Sequence, residues 1–96
     1  MFKTKKIKVG KKHIQAFSTR LSSKSLVLLK GSKGYIMCGY LNLKAAEKFN
    51  DLAVMVSGVS GIGDALKAKV SGCTSKARQS GVYKGQEIKE VLKIIA

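Results

Sequence analysis

The stretch YIMCGYL, residues 35–41, most constrains what this chain can fold into. In an extended strand successive side chains alternate, so Ile36, Cys38 and Tyr40 point one way and Tyr35, Met37 and Leu41 the other. Both sets are apolar or amphipathic. A strand of this kind needs cover on both faces and belongs in the middle of a sheet. A helix signal follows at once: Asn42 is a good N-cap, Leu43, Ala46 and Phe49 recur at helical spacing, and Asn50 suits the C-terminal stop. LAVMVS (52–57) then reads as another apolar strand. Strand, helix 42–49 and strand in so short a span predict a right-handed crossover, with the helix laid on one face of the sheet.

The flanking segments supply the rest of the sheet. Ile7 and Val9 alternate with Lys6 and Lys8, Ile14 and Ala16 alternate with Gln15 and Phe17, and the parity changes across Gly10-Lys11-Lys12. That pattern predicts a hairpin of strands 3–9 and 13–20 with lysines on its wet face. After the polar break Ser22-Ser23-Lys24, SLVLL (25–29) and 35–41 flank Gly31-Ser32-Lys33-Gly34, a second hairpin signal. Beyond residue 57 come a glycine-rich loop, a short helix near 62–68, an extended piece at 69–73, and a short helix capped by Thr74 or Ser75 that ends near Gly81. QEIKEVLKIIA (86–96) sets Ile88, Val91, Leu92 and Ile95 on one stripe of a closing helix. The expected fold is α+β: a mainly antiparallel sheet of about five strands, with helices 42–49 and 86–96 packed on one face. It forms a single compact domain over 1–96, made of a basic β-hairpin (3–20), a core (25–73) and a C-terminal helical part (74–96). A chain of 96 residues buries only about 60–65% of its unfolded surface. The apolar face left over is a route to a homo-oligomer, most often a symmetric dimer.

Charge is the unusual total. Nineteen Lys and Arg stand against five Asp and Glu, a formal net charge of +14. Residues 1–33 hold ten of the cations and no acid. Ion-pair networks would need matching carboxylates, so the excess is either a solubilising face or one that attracts anions. No run reaches the roughly 18 apolar residues of a membrane span, and the basic N-terminus lacks a following apolar segment. Cys38 and Cys73 with the single His13 make neither a disulfide framework nor a metal signature. Free thiols, no metal, no cofactor, no membrane partner and a cytoplasmic location are the expectations.

Little in the chain points to catalysis. The loop SGVSGIGDAL has its glycines Gly58, Gly61 and Gly63 at GxxGxG spacing, which matches neither the dinucleotide fingerprint nor the P-loop. Ser60 misses the GxSxG nucleophile elbow. The loop is a tight turn, or an anion cradle that uses exposed N–H groups. His13 sits among lysines with no carboxylate in its segment to orient it, and reads as a surface residue. The acids Glu47, Asp51, Asp64, Glu87 and Glu90 are candidates for helix surfaces or caps, so paired-carboxylate hydrolysis has no support. Cys38 is a small apolar filler in the central strand, or a thiol at a pocket edge beside Gly39. Cys73, at an element boundary, reads as the more exposed thiol.

GYIMCGYLNLKAAEKFNDLAVMVSGV, residues 34–59, resembles the YunC-like family of small archaeal and bacterial proteins, a domain of unknown function. Leu26–Leu29 before it and the helix opening near Asp64 fit the same order. The family often has proline where this chain has Ser22-Ser23-Lys24-Ser25. The resemblance implies a compact α/β-type single domain and supplies no substrate, cofactor or catalytic residue. It makes Cys38, Gly39, Asn42, Ser57 and Gly58 the candidates for a shared site, and the glycine loop adds Ser60 and Gly61.

Three classes of function follow. The first is a ligand- or partner-binding module with its site near the 38–42 and 57–63 loops, where ligands of α/β crossovers gather. The second is non-specific nucleic-acid binding through the phosphate charge, by Lys5, Lys6, Lys8, Lys11 and Lys12 of the hairpin. Phe2, Phe17 and Tyr35 do not form an RNP-like aromatic set, which argues against base readout. The third, a cysteine-dependent enzyme, lacks an acid–base pair.

Overall fold

The central strand finds cover on both faces. The computed structural model of the chain describes residues 2–21, 24–38 and 42–96, and of Phe2, Leu21 and Lys24 only the backbone. Its sheet has six strands in the order of the sequence. They are β1 (Phe2–Val9), β2 (Lys12–Leu21), β3 (Lys24–Lys30), β4 (Tyr35–Cys38), β5 (Ala53–Val56) and β6 (Gly72–Cys73). β1 to β4 form an antiparallel meander, β4 and β5 run parallel, and β6 returns antiparallel. The fold is therefore α+β on a mostly antiparallel sheet, with six strands rather than about five. Residues 39–41, expected to continue the central strand, lie outside the described residues.

Local chemistry explains most element ends. Val9 pairs with Lys12, so the first hairpin turns on Gly10-Lys11, and Gly10 takes the positive φ (63°) that such a turn needs. α1 (Leu43–Lys48) opens with the Asn42 side chain accepting from Lys44 N at 2.9 Å. It closes in a Schellman motif: Asn50, at φ 59°, donates from its N–H to Glu47 O, and Asp51 N–H donates to Ala46 O. α2 (Ile62–Lys67) and α3 (Ser75–Gln79) follow, the latter capped by Thr74, whose hydroxyl accepts from Ala77 N. In α4 (Ile88–Ile95) the buried residues are the expected stripe, Ile88, Val91, Leu92 and Ile95.

Placement of the helices differs from the expectation. Ile36, Cys38, Val54 and Val56 join Ile14, Ala16, Val27 and Leu29 in one core with α2, α3 and α4. Met37 and Ala53, on the opposite face, pack with Ala46 and Leu43 of α1. Helices 42–49 and 86–96 thus lie on opposite faces, because both faces of β4 and β5 are apolar and each needs its own cover. α1 is short, and among the described residues it packs on β4 and β5 and reaches Leu28 of β3.

The hairpin lysines are divided too. Ile7 and Val9 pack against the main core, so Lys3 and Lys5, at the same parity, stand on the helix-bearing face. Lys6 and Lys8 stand on the other. A single wet face carrying all the lysines is not what forms. Among the described residues β1 is also an edge strand of the sheet, where lysines oppose edge-to-edge pairing with another chain.

Candidate functional site

The face alternation that splits the lysines also builds a cleft. On the helix-bearing face, β1 carries Lys3 and Lys5 near its start, β2 carries Ser18 and Arg20 near its end, and β3 carries Ser25 near its start. Register brings them side by side: Lys3 opposes Ser18, and Arg20 opposes Ser25. At this end of the sheet the parallel strands β4 and β5 also finish, and the chain leaving β5 enters α2. α2 packs across β2 and β3, which lays the loop Ser60–Gly63 against the polar strand ends. The result is a cleft of about 600 Å³, lined by Lys3, Lys5 and Arg20, by Ser18, Thr19 and Ser25, and by Ser60 to Gly63 with Leu66. None of the five acids is among its lining residues.

The serine of the loop is already engaged. Ser60 donates from its backbone N–H and from its hydroxyl to Asp64 Oδ2, at 3.1 and 2.5 Å. Those two bonds, the hydroxyl's first, hold the Asp64 carboxyl below its usual range, and Lys67 adds to the effect. A carboxylate so stabilised is a poor general base, and the arrangement braces the loop rather than activating a nucleophile. Ser60 N–H, turned to Asp64, is thereby withdrawn from the N–H groups the loop could offer an anion.

Cys38 is 3% exposed, sits within the main core, and donates weakly from its thiol to Ser25 O at 3.5 Å. It lies beneath the cleft rather than on its wall. Asn42 spends its side chain on the α1 cap, on the other face of the sheet. Ser57 and Gly58 are exposed beyond β5 and do not line the cleft. Gly39 lies outside the described residues. Ser60, Gly61 and Lys5 share the cleft, so one member of the expected phosphate-binding set joins two of the expected ligand-binding set. Lys6 and Lys8 are on the opposite face, and Lys11 and Lys12 are at the far end. Lys12 Nζ there reaches Ala96 O at 3.5 Å.

Lys3, Ser18, Arg20 and Ser25 were absent from the expected site. Their signal was parity: each lies at an even spacing from an inward apolar residue of its own strand. Cys73 is half-buried on β6 and, like Cys38, a free thiol; burial pushes its pKa up. Among the described residues no group of three or more His, Cys, Asp and Glu could hold a metal ion, and no helix is long and apolar enough to cross a membrane.

A second cavity, of about 350 Å³, lies on the opposite face between α1 and the sheet. Leu28 and Met37 form its floor, Ala45, Ala46 and Phe49 its helical wall, and Lys30 with a Tyr35–Asp51 pair its polar end. Phe49 is 73% exposed.

Comparison with known proteins places the chain in a family without placing a function. No curated protein matches it. The crystal structure of a protein of unknown function from Thermoplasma acidophilum is similar over the whole chain: 38% identity, a TM-score of 0.95, and coverage of 100% of this chain and 94% of that one. Residues 37–95, which include α1, the loop into α2 and the closing helix, match the family described as Domain of unknown function (DUF1805). The chain belongs to that family.

Proposed function

We propose that this single domain is a binding module for a small anionic ligand, held in the cleft between the strand ends of the hairpin and the Ser60–Gly63 loop. One observation carries the reading: Lys3, Lys5 and Arg20 converge with the Ser18 and Ser25 positions in a cleft whose lining contains no acid. Cations in a recess with low-dielectric walls focus potential and raise the local concentration of anions. Arg20 offers a planar fork for a carboxylate or phosphate, and the lysines act as point charges. The ligand class is thus a phosphate- or carboxylate-bearing small molecule. Binding without turnover is the favoured activity, since Asp64 is a weak base and Cys38 is shielded. The resemblance of residues 34–59 supports a YunC-like affiliation within the family, and two free thiols support a cytoplasmic location.

A thermal-shift titration tests the reading, with inorganic phosphate, phosphate monoesters and di- and tricarboxylates as ligands. A ligand at 100 times its Kd adds about 2.7 kcal/mol, a rise in Tm on the order of 10 °C for a domain of this size. Arg20→Gln and the Lys3→Gln/Lys5→Gln pair should each abolish that rise. A panel with no effect, or an effect that survives both variants, overturns the reading.

A further inference from the structure

The outer face of the sheet carries a second, separate surface. α1 packs there on β4 and β5 and reaches Leu28 of β3. Among the described residues on the outer side of β1, β2 and β3, Thr4, Lys6, Lys8, His13, Gln15 and Lys30 are exposed, while Phe17 and Leu28 are half-buried. Strand register aligns two rows across it. One runs Thr4, Phe17, Leu28, Met37, and ends in the cavity under α1. The other runs Lys6, Gln15, Lys30, Tyr35. Lys8 lies beyond them, opposite His13. Lys6, Lys8 and Lys30 are exposed, and neighbouring strands are about 4.8 Å apart, so Lys6 and Lys30 stand about 10 Å from each other across β2.

We propose that this face binds single-stranded nucleic acid, with one base lodged in the cavity beside Phe49 and the backbone crossing Lys30, Lys6 and Lys8. Three features select that occupant. An exposed phenyl ring at the wall of an apolar cavity is a stacking platform, and stacking is open to any base because every base has a π-face. The cavity is at the lower end of the size range of small-molecule sites, suited to one nucleotide unit rather than a helix or strand of a protein partner. Lys30 and Lys6 lead outward from the cavity along one row and Lys8 follows along β1, as phosphates would follow a base. Charge also disfavours a second copy of this chain, since it would bring the same lysines together. The acid at the cavity, Asp51, accepts the Tyr35 hydroxyl at 2.8 Å and keeps lone pairs for an amino group on a base edge. A duplex would not fit, because its bases are stacked away from such a cavity. The proposal is independent of the anion cleft, which lies on the other face.

Fluorescence anisotropy with labelled single-stranded RNA and DNA of about ten nucleotides, and with a duplex, tests it. Binding is expected for single strands in preference to duplex, with affinity falling as salt rises. Replacing Lys6, Lys8 and Lys30 with glutamine should flatten the log–log salt slope by about 2, since each phosphate left without its lysine removes about 0.7. The charge-matched Lys76, Lys84 and Lys89 triple, on the helical face, should leave it unchanged. Phe49→Ala, at an exposed position, should weaken binding about fivefold or more with the slope retained. The proposal is overturned by any of four results: no binding at about 50 mM salt, equal losses from the two lysine triples, equal or tighter duplex binding, or an indifferent Phe49→Ala. A Phe49→Ala that instead dissociates a dimer by light scattering would assign the face to a second copy and overturn it as well.

Discussion

The Tyr35 hydroxyl donates a 2.8 Å hydrogen bond to Asp51 Oδ2, joining the first residue of β4 to the end of the α1 crossover. Asp51 is a junction of the fold. Its N–H closes α1 on Ala46 O, its carbonyl accepts from the Thr74 hydroxyl, and its carboxylate takes Tyr35.

The Tyr35 phenol is pushed up to about 12, by burial first and then by the hydrogen bond and charge of Asp51. A tyrosine whose folded pKa exceeds its unfolded value near 10 contributes stability that is complete below pH 10. That contribution is lost as pH rises from about 10 through about 12. Denaturation midpoints measured across this window should fall more steeply for the wild type than for Tyr35→Phe. Parallel curves would show that the pair carries no such linkage.

Thr74 is 1% exposed and its hydroxyl serves three partners at once. It donates to Asp51 O at 2.6 Å and accepts from Ala53 N at 3.2 Å and Ala77 N at 3.3 Å. Thr74→Val keeps the shape but strips the α3 cap and strands buried N–H groups. A loss of about 2–3 kcal/mol is expected in urea unfolding, with the m-value unchanged. Thr74→Ser should keep most of the stability, which separates the hydroxyl's part from that of the methyl.

Two glycines should respond with opposite sign. A Cβ at Gly31 would fall on the Ile95 carbonyl, which also accepts from Lys33 N at 2.8 Å. Gly31→Ala therefore pushes α4 off the β3–β4 connection, at a cost of about 3 kcal/mol. Gly63, inside α2 with nothing within 4 Å of its missing Cβ, should gain about 0.5–1 kcal/mol on substitution by alanine. Thermal unfolding of the two variants decides both.

The thiols should react in order. Cys38 is buried at 3% exposure, while Cys73 is half-buried with its pKa raised chiefly by burial. A thiol reagent near pH 8 should modify Cys73 slowly and Cys38 only after denaturant is added. Fast labelling of Cys38 in the folded protein would mean that the strand end above it opens.

Much of the fold was legible in local pattern. Lys6–Val9 and Ile14–Phe17 alternate, Asn42 and Thr74 cap, and Ile88, Val91, Leu92 and Ile95 recur at helical spacing. Each of these signals lies within a few residues and needs no knowledge of the rest of the chain. The glycine loop was legible as a loop entering a helix, but not the engagement of Ser60 with Asp64. That depends on how the first turn of α2 closes.

By itself, the sequence determined most of the element types, the central position of β4 and the basic excess of the first 33 residues. Tertiary structure alone decided which face each helix covers and which lysines share a face with which partners. Lys5 and Gly61 are 56 positions apart and meet only because sheet order, register and the packing of α2 bring them to one end of the sheet. Charge counted along the chain is blind to that. Strand alternation sends neighbours such as Lys5 and Lys6 to opposite faces, and only the packed sheet says what waits on each.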